Sequence, residues 1–315
     1  MHARQARLAE GRRHFHHGPI DLVIGADGAD DALEASHEAA WTRFQQVLDE
    51  LVGELRVLRT PVVAARVACA SGAAPLQRAD DCPLRGSIAR AMWFACRPFA
   101  ADTITPMAAV AGAVAQDILE HYRRAGIERA WVNNGGDIAW LFASPRSPAL
   151  RLGLFSDLAA LDEARLREAA TPRGLRVDGR VAVDPAMAAR GAATSGWRGR
   201  SFSLGIADSV TVLARTAAQA DAAATIVANA VDVDDPKIVR RPAITLKDDS
   251  DLGERLVTVD VPPLAPERVD AALEAGLACA RRLLDAGLIL QCTLVCQRRM
   301  RHVDTRAGAR RAIAA

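Results

Sequence analysis

Residues 130–142 read AWVNNGGDIAWLF and predict two antiparallel strands joined by a tight turn. Apolar residues lie on both sides, and the two central glycines allow the positive φ angles that a two-residue hairpin turn requires. Short apolar runs bounded by turn residues predict further strands at 20–24, 203–213 and 288–295. An antiparallel sheet is favoured over a doubly wound parallel one, because no glycine-rich strand-to-helix fingerprint is present.

Four helices are predicted to cover this sheet. The longest runs from 31 to 59, where apolar residues recur at three- and four-residue steps until Pro61 stops it. A helix rich in small residues opens at Pro106 and runs to about residue 125. An alanine-rich helix spans 216–231, and the last helix spans 266–286. We therefore expect an α+β fold in which an antiparallel sheet packs against helices.

The expected organisation has three parts. Residues 1–30 form an N-terminal segment that ends in the first strand, and residues 31–297 form a single domain. Residues 298–315 form a basic tail, which is rich in arginine and lacks apolar periodicity. Such a composition is typical of a disordered, solvated terminus.

Composition and charge exclude several classes of protein. Hydrophobic residues make up 50% of the 315 residues and charged residues 25%, which is typical of a globular protein. The formal net charge of +2 provides no overall field that favours nucleic acid or an anionic membrane. No apolar run approaches the length that spans a bilayer, and no apolar segment follows the basic start, so we expect a cytoplasmic protein.

The hairpin turn is the first of three segments suited to binding a ligand. Gly135 and Gly136 free the backbone to bring its amides close to a ligand, and Asn133, Asn134 and Asp137 add polar groups at the same turn. The alternative is a turn without a ligand, because Asn and Gly are also what such turns prefer.

The second segment reads ATSG at residues 193–196 and is followed by Arg198. Thr194 and Ser195 offer hydroxyls, Gly196 frees the backbone and Arg198 offers a cation, a combination suited to a phosphate or another oxyanion. No histidine lies in either segment, so a positioning role for Ser195 is favoured over a covalent one.

The third segment reads SVTV at residues 209–212 and leads into the alanine-rich helix. Asp221 and Thr225 are four residues apart on that helix and therefore share a face. Their carboxylate and hydroxyl oxygens suit a hard cation such as Mg²⁺. The alternative is an aspartate favoured near the start of a helix and a threonine in the core.

In this order, the three segments resemble the ApbE-like superfamily, the FAD:protein FMN transferases. Members carry a GGD turn, a TSG segment, an S-V-T-V strand and an AD-x-x-x-T helix, and the likeness covers roughly residues 105–230. It implies an ApbE-like fold with FAD in a cleft, and Mg²⁺ held by Asp221 and Thr225 at the FAD pyrophosphate. The residues implied to line the ligand are Gly135, Gly136, Asp137, Thr194, Ser195 and Gly196. Asn133, Asn134 and Arg198 are expected beside them from their place in the same segments.

Two departures from the family pattern bear on activity and indicate a divergent branch. The family's A-K-G segment corresponds to Val110-Ala111-Gly112, which lacks the lysine. The family's H-x-I-D-P segment has no counterpart, because residues 197–208 contain neither histidine nor proline. Asp208 is a candidate general base by its position only.

The sequence is therefore compatible with several functions. One is Mg²⁺-dependent binding of FAD, with transfer of the FMN portion to a protein acceptor or hydrolysis of the pyrophosphate. Another is a non-catalytic binder, carrier or sensor of a flavin or other anionic metabolite. A third is an enzyme acting on an unrelated small molecule, since one fold can host many chemistries.

Overall fold

An antiparallel sheet of nine strands runs through the described part of the chain, which comprises residues 2–62, 81–154, 179–199 and 201–305 of a computed structural model. From edge to edge its strands are β1 (Arg4–Arg7), β2 (Arg13–His17), β3 (Ile20–Gly28), β4 (Ile127–Asn134), β5 (Asp137–Phe142), β8 (Gly191–Ser195), β9 (Ser209–Ala214), β12 (Gln291–Cys296) and β13 (Arg299–Asp304). Two smaller antiparallel sheets pair β6 (Leu150–Leu154) with β7 (Gly179–Val183), and β10 (Val239–Pro242) with β11 (Leu256–Asp260).

Six α-helices occur within these residues. They are α1 (Asp30–Gly53), α2 (Leu55–Leu58), α3 (Ser87–Cys96), α4 (Val110–Leu119), α5 (Ala217–Ala230) and α6 (Pro266–Asp285). The α+β fold, with an antiparallel sheet packed against helices, is confirmed. None of the helices in the described ranges is both long and apolar enough to cross a bilayer.

The two faces of the sheet have different covers. Because successive side chains of a strand point to opposite faces, each strand contributes to both. On one face, residues such as Ile24, Val132 and Leu294 join a large core with the helices. On the other face, Trp140 and Leu213 join a smaller core that includes β6 and β7. We call the first the helix face of the sheet.

The N-terminal segment belongs to this sheet, which corrects the expectation that only residues from 20 onward form strand. Residues 4–7 form β1 and residues 13–17 form β2, and β1 pairs with β2 and β2 with β3. All four residues of β1 are exposed, so this edge strand lacks the apolar alternation from which strands are predicted.

The basic tail also begins later than expected. Residues 299–304 form β13, which pairs with β12 along its whole length. Arg299 and Arg301 form ion pairs with Asp270 of α6, and Arg301 also bonds Glu274 at 2.8 Å. The arginines that suggested a solvated terminus therefore bind acidic residues of a neighbouring helix. Residues 306–315 lie outside the described part.

A buried imidazole joins α1 to the segment that precedes β4. His37 is 7% exposed, and its Nδ1 lies 2.6 Å from the hydroxyl oxygen of Tyr122. Burial and, to a smaller extent, the positive charge of Arg13 lower the pKa of His37 to about 4. The folded chain therefore accommodates the neutral imidazole.

We predict that His37 makes the fold sensitive to acid. Between pH 6.5 and about pH 4 the unfolded chain binds a proton at this residue that the folded chain excludes, so stability falls as the pH decreases through that range. From pH 7 to pH 5 the free energy of unfolding of the wild type should decrease because of His37. In His37→Gln this decrease should be smaller by about 1.5 kcal/mol. Urea unfolding at both pH values measures this difference, and equal losses would contradict the prediction.

Candidate functional site

The carboxylate of Asp221 lies at the start of α4. Its Oδ2 accepts a hydrogen bond of 3.0 Å from Gly112 N, and the amide of Ala111 also donates to the carboxylate. Ala109, which precedes α4, provides no side-chain cap. Asp221 of α5 thus takes the role of a helix cap from a distant part of the sequence, where the positive end of the helix dipole favours a negative group.

Two glycines allow α5 to come this close to its neighbours. A Cβ at Gly112 would lie 2.3 Å from the carbonyl oxygen of Ala217, and a Cβ at Gly191 of β8 would lie 2.2 Å from the Ala217 Cα. Thr216 caps α5 by accepting a hydrogen bond from Gln219 N at 3.2 Å. The first turn of α5 is therefore fixed against both α4 and the sheet, and this sets the position of Asp221.

Asp137 brings a second carboxyl group to the same place. It is the first residue of β5 and 8% exposed, and its Oδ1 accepts a hydrogen bond of 3.1 Å from Thr194 N. Its side chain also shares a hydrogen bond with that of Asp221. Burial raises the pKa of Asp221 well above its usual value, and the adjacent Asp137 raises it further. Two carboxyl groups in contact require a shared proton or a cation between them.

Asn134 adds an amide group to the two carboxyls. It pairs with Asp137 across the β4–β5 hairpin and is 4% exposed. Its Nδ2 donates a hydrogen bond of 3.1 Å to the carbonyl oxygen of Ala111, in the first turn of α4. We refer to Asn134, Asp137 and Asp221 as the polar cluster.

Asn133, by contrast, stabilises the turn itself. Its Oδ1 accepts a hydrogen bond of 2.8 Å from Gly136 N, and Gly135 and Gly136 have φ angles of 63° and 113°. The predicted hairpin is confirmed. Because neighbouring residues of a strand face opposite ways, Asn133 points away from the helix face on which Asn134 lies.

The TSG segment ends β8 beside the polar cluster. Thr194 binds Asp137 through its amide, while its Oγ1 lies 2.9 Å from Thr211 Oγ1. Ser195 is partly exposed. A Cβ at Gly196 would lie 2.4 Å from the Asp208 carbonyl oxygen, so only glycine fits where the chain leaves the strand.

Asp208 anchors the loop that follows this segment. Its carboxylate accepts hydrogen bonds from Gln297 N at 2.6 Å and from Trp197 Nε1 at 3.3 Å, and Arg198 Nε lies 3.8 Å from it. The guanidinium of Arg198 also stacks on the Trp197 ring, 4.9 Å from its centroid. These contacts hold the loop against the β12–β13 turn. A catalytic role for Asp208 stays a prediction.

Thr225 lies one turn after Asp221 on α5 and is partly exposed, so the two residues share a helix face as expected. In the described ranges, no group of three or more His, Cys, Asp or Glu residues is placed to hold a metal ion. A cation site here would therefore combine the two carboxylates with neutral oxygens. The structure thus brings Asp137 into contact with Asp221, one of the two residues predicted to bind metal, whereas Asp208 contacts a different set of residues.

A family model described as AbpE bacteria matches residues 4–304. The chain belongs to this family. The match extends from the first residue of β1 to the last of β13, so it includes every strand of the nine-stranded sheet. The ApbE-like resemblance of the three segments is confirmed, and the chain is a divergent ApbE-like member.

The chain is also similar to other proteins, to different degrees. A UPF0280 protein of Methanopyrus kandleri is 32% identical over 241 residues, which cover 76% of this chain and 83% of the relative. A UPF0280 protein of Methanothrix thermoacetophila is 37% identical over 131 residues, which cover 42% of this chain and 48% of the relative. The apo flavinyl transferase ApbE of Pseudomonas stutzeri is 12% identical with a TM-score of 0.39, over 97% of this chain and 95% of that one.

We predict that Asp221→Asn and Asp221→Ala differ in stability. The asparagine oxygen can still accept the hydrogen bond from Gly112 N, whereas alanine leaves the start of α4 uncapped, which costs about 1 kcal/mol. In metal-free buffer Asp221→Asn should be at least as stable as the wild type, since it removes one of two carboxyls in contact. Urea unfolding in a chelator measures all three proteins. Equal stability of the two variants would show that the Gly112 contact does not stabilise α4.

Proposed function

We propose that the chain binds Mg²⁺ at Asp137, Asp221 and Thr225 and uses it to hold the pyrophosphate of a flavin nucleotide, FAD. The observation that carries this proposal is the contact between the Asp137 and Asp221 carboxyls, which brings two acidic groups together. Carboxylate and hydroxyl oxygens are the donors that Mg²⁺ prefers, so the residues present fit this ion. Bound Mg²⁺ would supply neutralisation of the pyrophosphate charge.

The surrounding residues suit the rest of such a ligand. The TSG segment leads from the polar cluster to the loop that carries Arg198, whose side chain is 39% exposed. Arg198 Nε lies 3.8 Å from the Asp208 carboxylate, and a guanidinium group has the planar donor geometry that suits a phosphate. Asn133, Gly135 and Gly136 form the tight turn at the other side of Asp137.

The proposed reaction transfers the FMN portion of FAD to a protein hydroxyl, or to water, with AMP as the leaving group. Asp137, Asp221 and Thr225 would hold the cation and so orient the pyrophosphate. Asp208 would accept the proton of the attacking hydroxyl only after giving up its hydrogen bond from Trp197 or Gln297.

The engagement of Asp208 favours a second candidate function, which is non-catalytic binding of a flavin or another anionic metabolite. A carboxylate that already holds Gln297 and Trp197 has limited capacity to accept another proton donor. The residues 197–208 also contain no histidine to replace it. The cytoplasmic location expected from the sequence stays a prediction.

Titration of FAD with the purified chain, with and without Mg²⁺, tests the proposal. We expect flavin fluorescence to report Mg²⁺-dependent binding, and chromatography of the nucleotides to show AMP if the chain is an enzyme. Binding without AMP would establish the non-catalytic function. The absence of any Mg²⁺-dependent binding would refute the proposed ligand.

Asp221→Asn should abolish the Mg²⁺ dependence of FAD binding while leaving the fold intact, because it removes a cation ligand but keeps the acceptor for Gly112 N. Asp234→Asn is the matched control, since Asp234 is an exposed carboxylate shortly after α5. Unchanged Mg²⁺-dependent affinity in Asp221→Asn would exclude this residue as a metal ligand.

A further inference from the structure

The side-chain oxygen of Asn134 is buried without a hydrogen-bond partner among the described residues. Asn134 is 4% exposed, and its Oδ1 is fully enclosed, while the Nδ2 of the same amide is bonded to Ala111 O. Leaving a buried amide oxygen unpaired is costly, and native structures contain few such atoms. The position therefore indicates an interaction that the protein side chains alone do not satisfy.

The carbonyl oxygen of Ala111 determines which end of the Asn134 amide is Nδ2 and which is Oδ1. Ala111 O can only accept a hydrogen bond, so the atom that faces it at 3.1 Å must be the Nδ2 donor. Oδ1 is then the other atom of the amide, and rotating the amide by half a turn would place two acceptors in contact.

The unpaired oxygen belongs to the polar cluster. Asp137 faces Asn134 across the hairpin on the same face of the sheet. Asp221 contacts Asp137 and accepts hydrogen bonds from the backbone amides of Ala111 and Gly112. The backbone carbonyl of Ala111 accepts the hydrogen bond from Asn134 Nδ2. Asn134 and Asp221 thus both bind the first turn of α4, and Asp137 contacts Asp221.

We infer that Asn134 Oδ1 is a further ligand of the divalent cation, which rests on the proposed cation site at Asp137 and Asp221. An amide oxygen is a hard donor that Mg²⁺ and Mn²⁺ accept beside carboxylates. Being neutral, it adds a ligand without adding a third negative charge to the two carboxyls. Asparagine suits the position because one end of its amide is fixed by Ala111 while the other is left for the ion.

Mn²⁺ binding to the purified chain in the absence of nucleotide tests this inference. Free Mn²⁺ is followed by electron paramagnetic resonance during titration of the wild type, Asn134→Ala and Asn134→Asp. Both variants lose the hydrogen bond to Ala111 O, but only Asn134→Asp keeps an oxygen at the position. We expect Asn134→Ala to weaken Mn²⁺ binding by at least about tenfold and Asn134→Asp to bind as tightly as the wild type or more tightly.

Two results would overturn the inference. Wild-type affinity in Asn134→Ala would show that the oxygen is not a ligand. An equal loss in Asn134→Ala and Asn134→Asp would show that the residue acts only through its hydrogen bond to Ala111. Unfolding in a chelator reports whether each variant is folded, and Asn134→Leu replaces Asn134→Ala if the smaller side chain destabilises the chain.

Asp221→Asn in the same titration separates this inference from the proposed function. Loss of Mn²⁺ binding in Asp221→Asn but not in Asn134→Ala would keep the cation site and remove Asn134 from it. A wild type that binds no Mn²⁺ would remove the cation site, and both proposals with it.

Discussion

The hydrogen bonds that the Asp221 carboxylate accepts from the first amides of α4 connect three parts of the chain. They hold α5, which carries the aspartate, against the helix that it caps. They also place a negative group beside the hairpin residue Asp137, which is itself bonded to β8 through Thr194 N. Gly112 and Gly191 are required because any side chain at either would push α5 away. The geometry of the polar cluster therefore depends on this one capping interaction.

Two acidic side chains, Asp137 and Asp221, meet at that interaction. The start of a helix is equivalent to about half a positive charge, and the two amides that it contributes to Asp221 partly offset one carboxylate. Two carboxylates together would carry two negative charges, and burial increases the cost of each. Half a positive charge at the helix end offsets about a quarter of that total. A proton between the carboxyls satisfies one charge, whereas a divalent cation satisfies both and also uses the neutral oxygens nearby.

The elements that could be predicted from the sequence are those that are determined by residues within or next to the element itself. The β4–β5 hairpin follows from Gly135 and Gly136, α5 from its alanines and the N-cap residue Thr216, and α6 from Pro266 at its start. The edge strands β1 and β13 could not be predicted, because their exposed or ion-paired side chains leave no apolar alternation. They are strands because their backbones pair with β2 and β12.

The same distinction applies to the site. The shared face of Asp221 and Thr225 follows from helical spacing alone. The contact between Asp137 and Asp221 does not, because it depends on the order of strands, in which β8 lies between β5 and β9, and on α5 returning over β8. The sequence likewise predicts the same ligand-binding role for Asn133 and Asn134, because both are polar residues at the turn. Which of the two lies on the helix face is decided by the side of the sheet on which the helices pack.

Whether the site turns over its ligand depends on the loop between β8 and β9. The carboxylate of Asp208 accepts hydrogen bonds from Gln297 N and Trp197 Nε1, and Arg198 Nε lies 3.8 Å from it. If Arg198 bound a phosphate, its guanidinium would be shared between the ligand and the Asp208 carboxylate. In the proposed function, phosphate recognition by Arg198 and proton transfer at Asp208 would therefore be coupled through this loop.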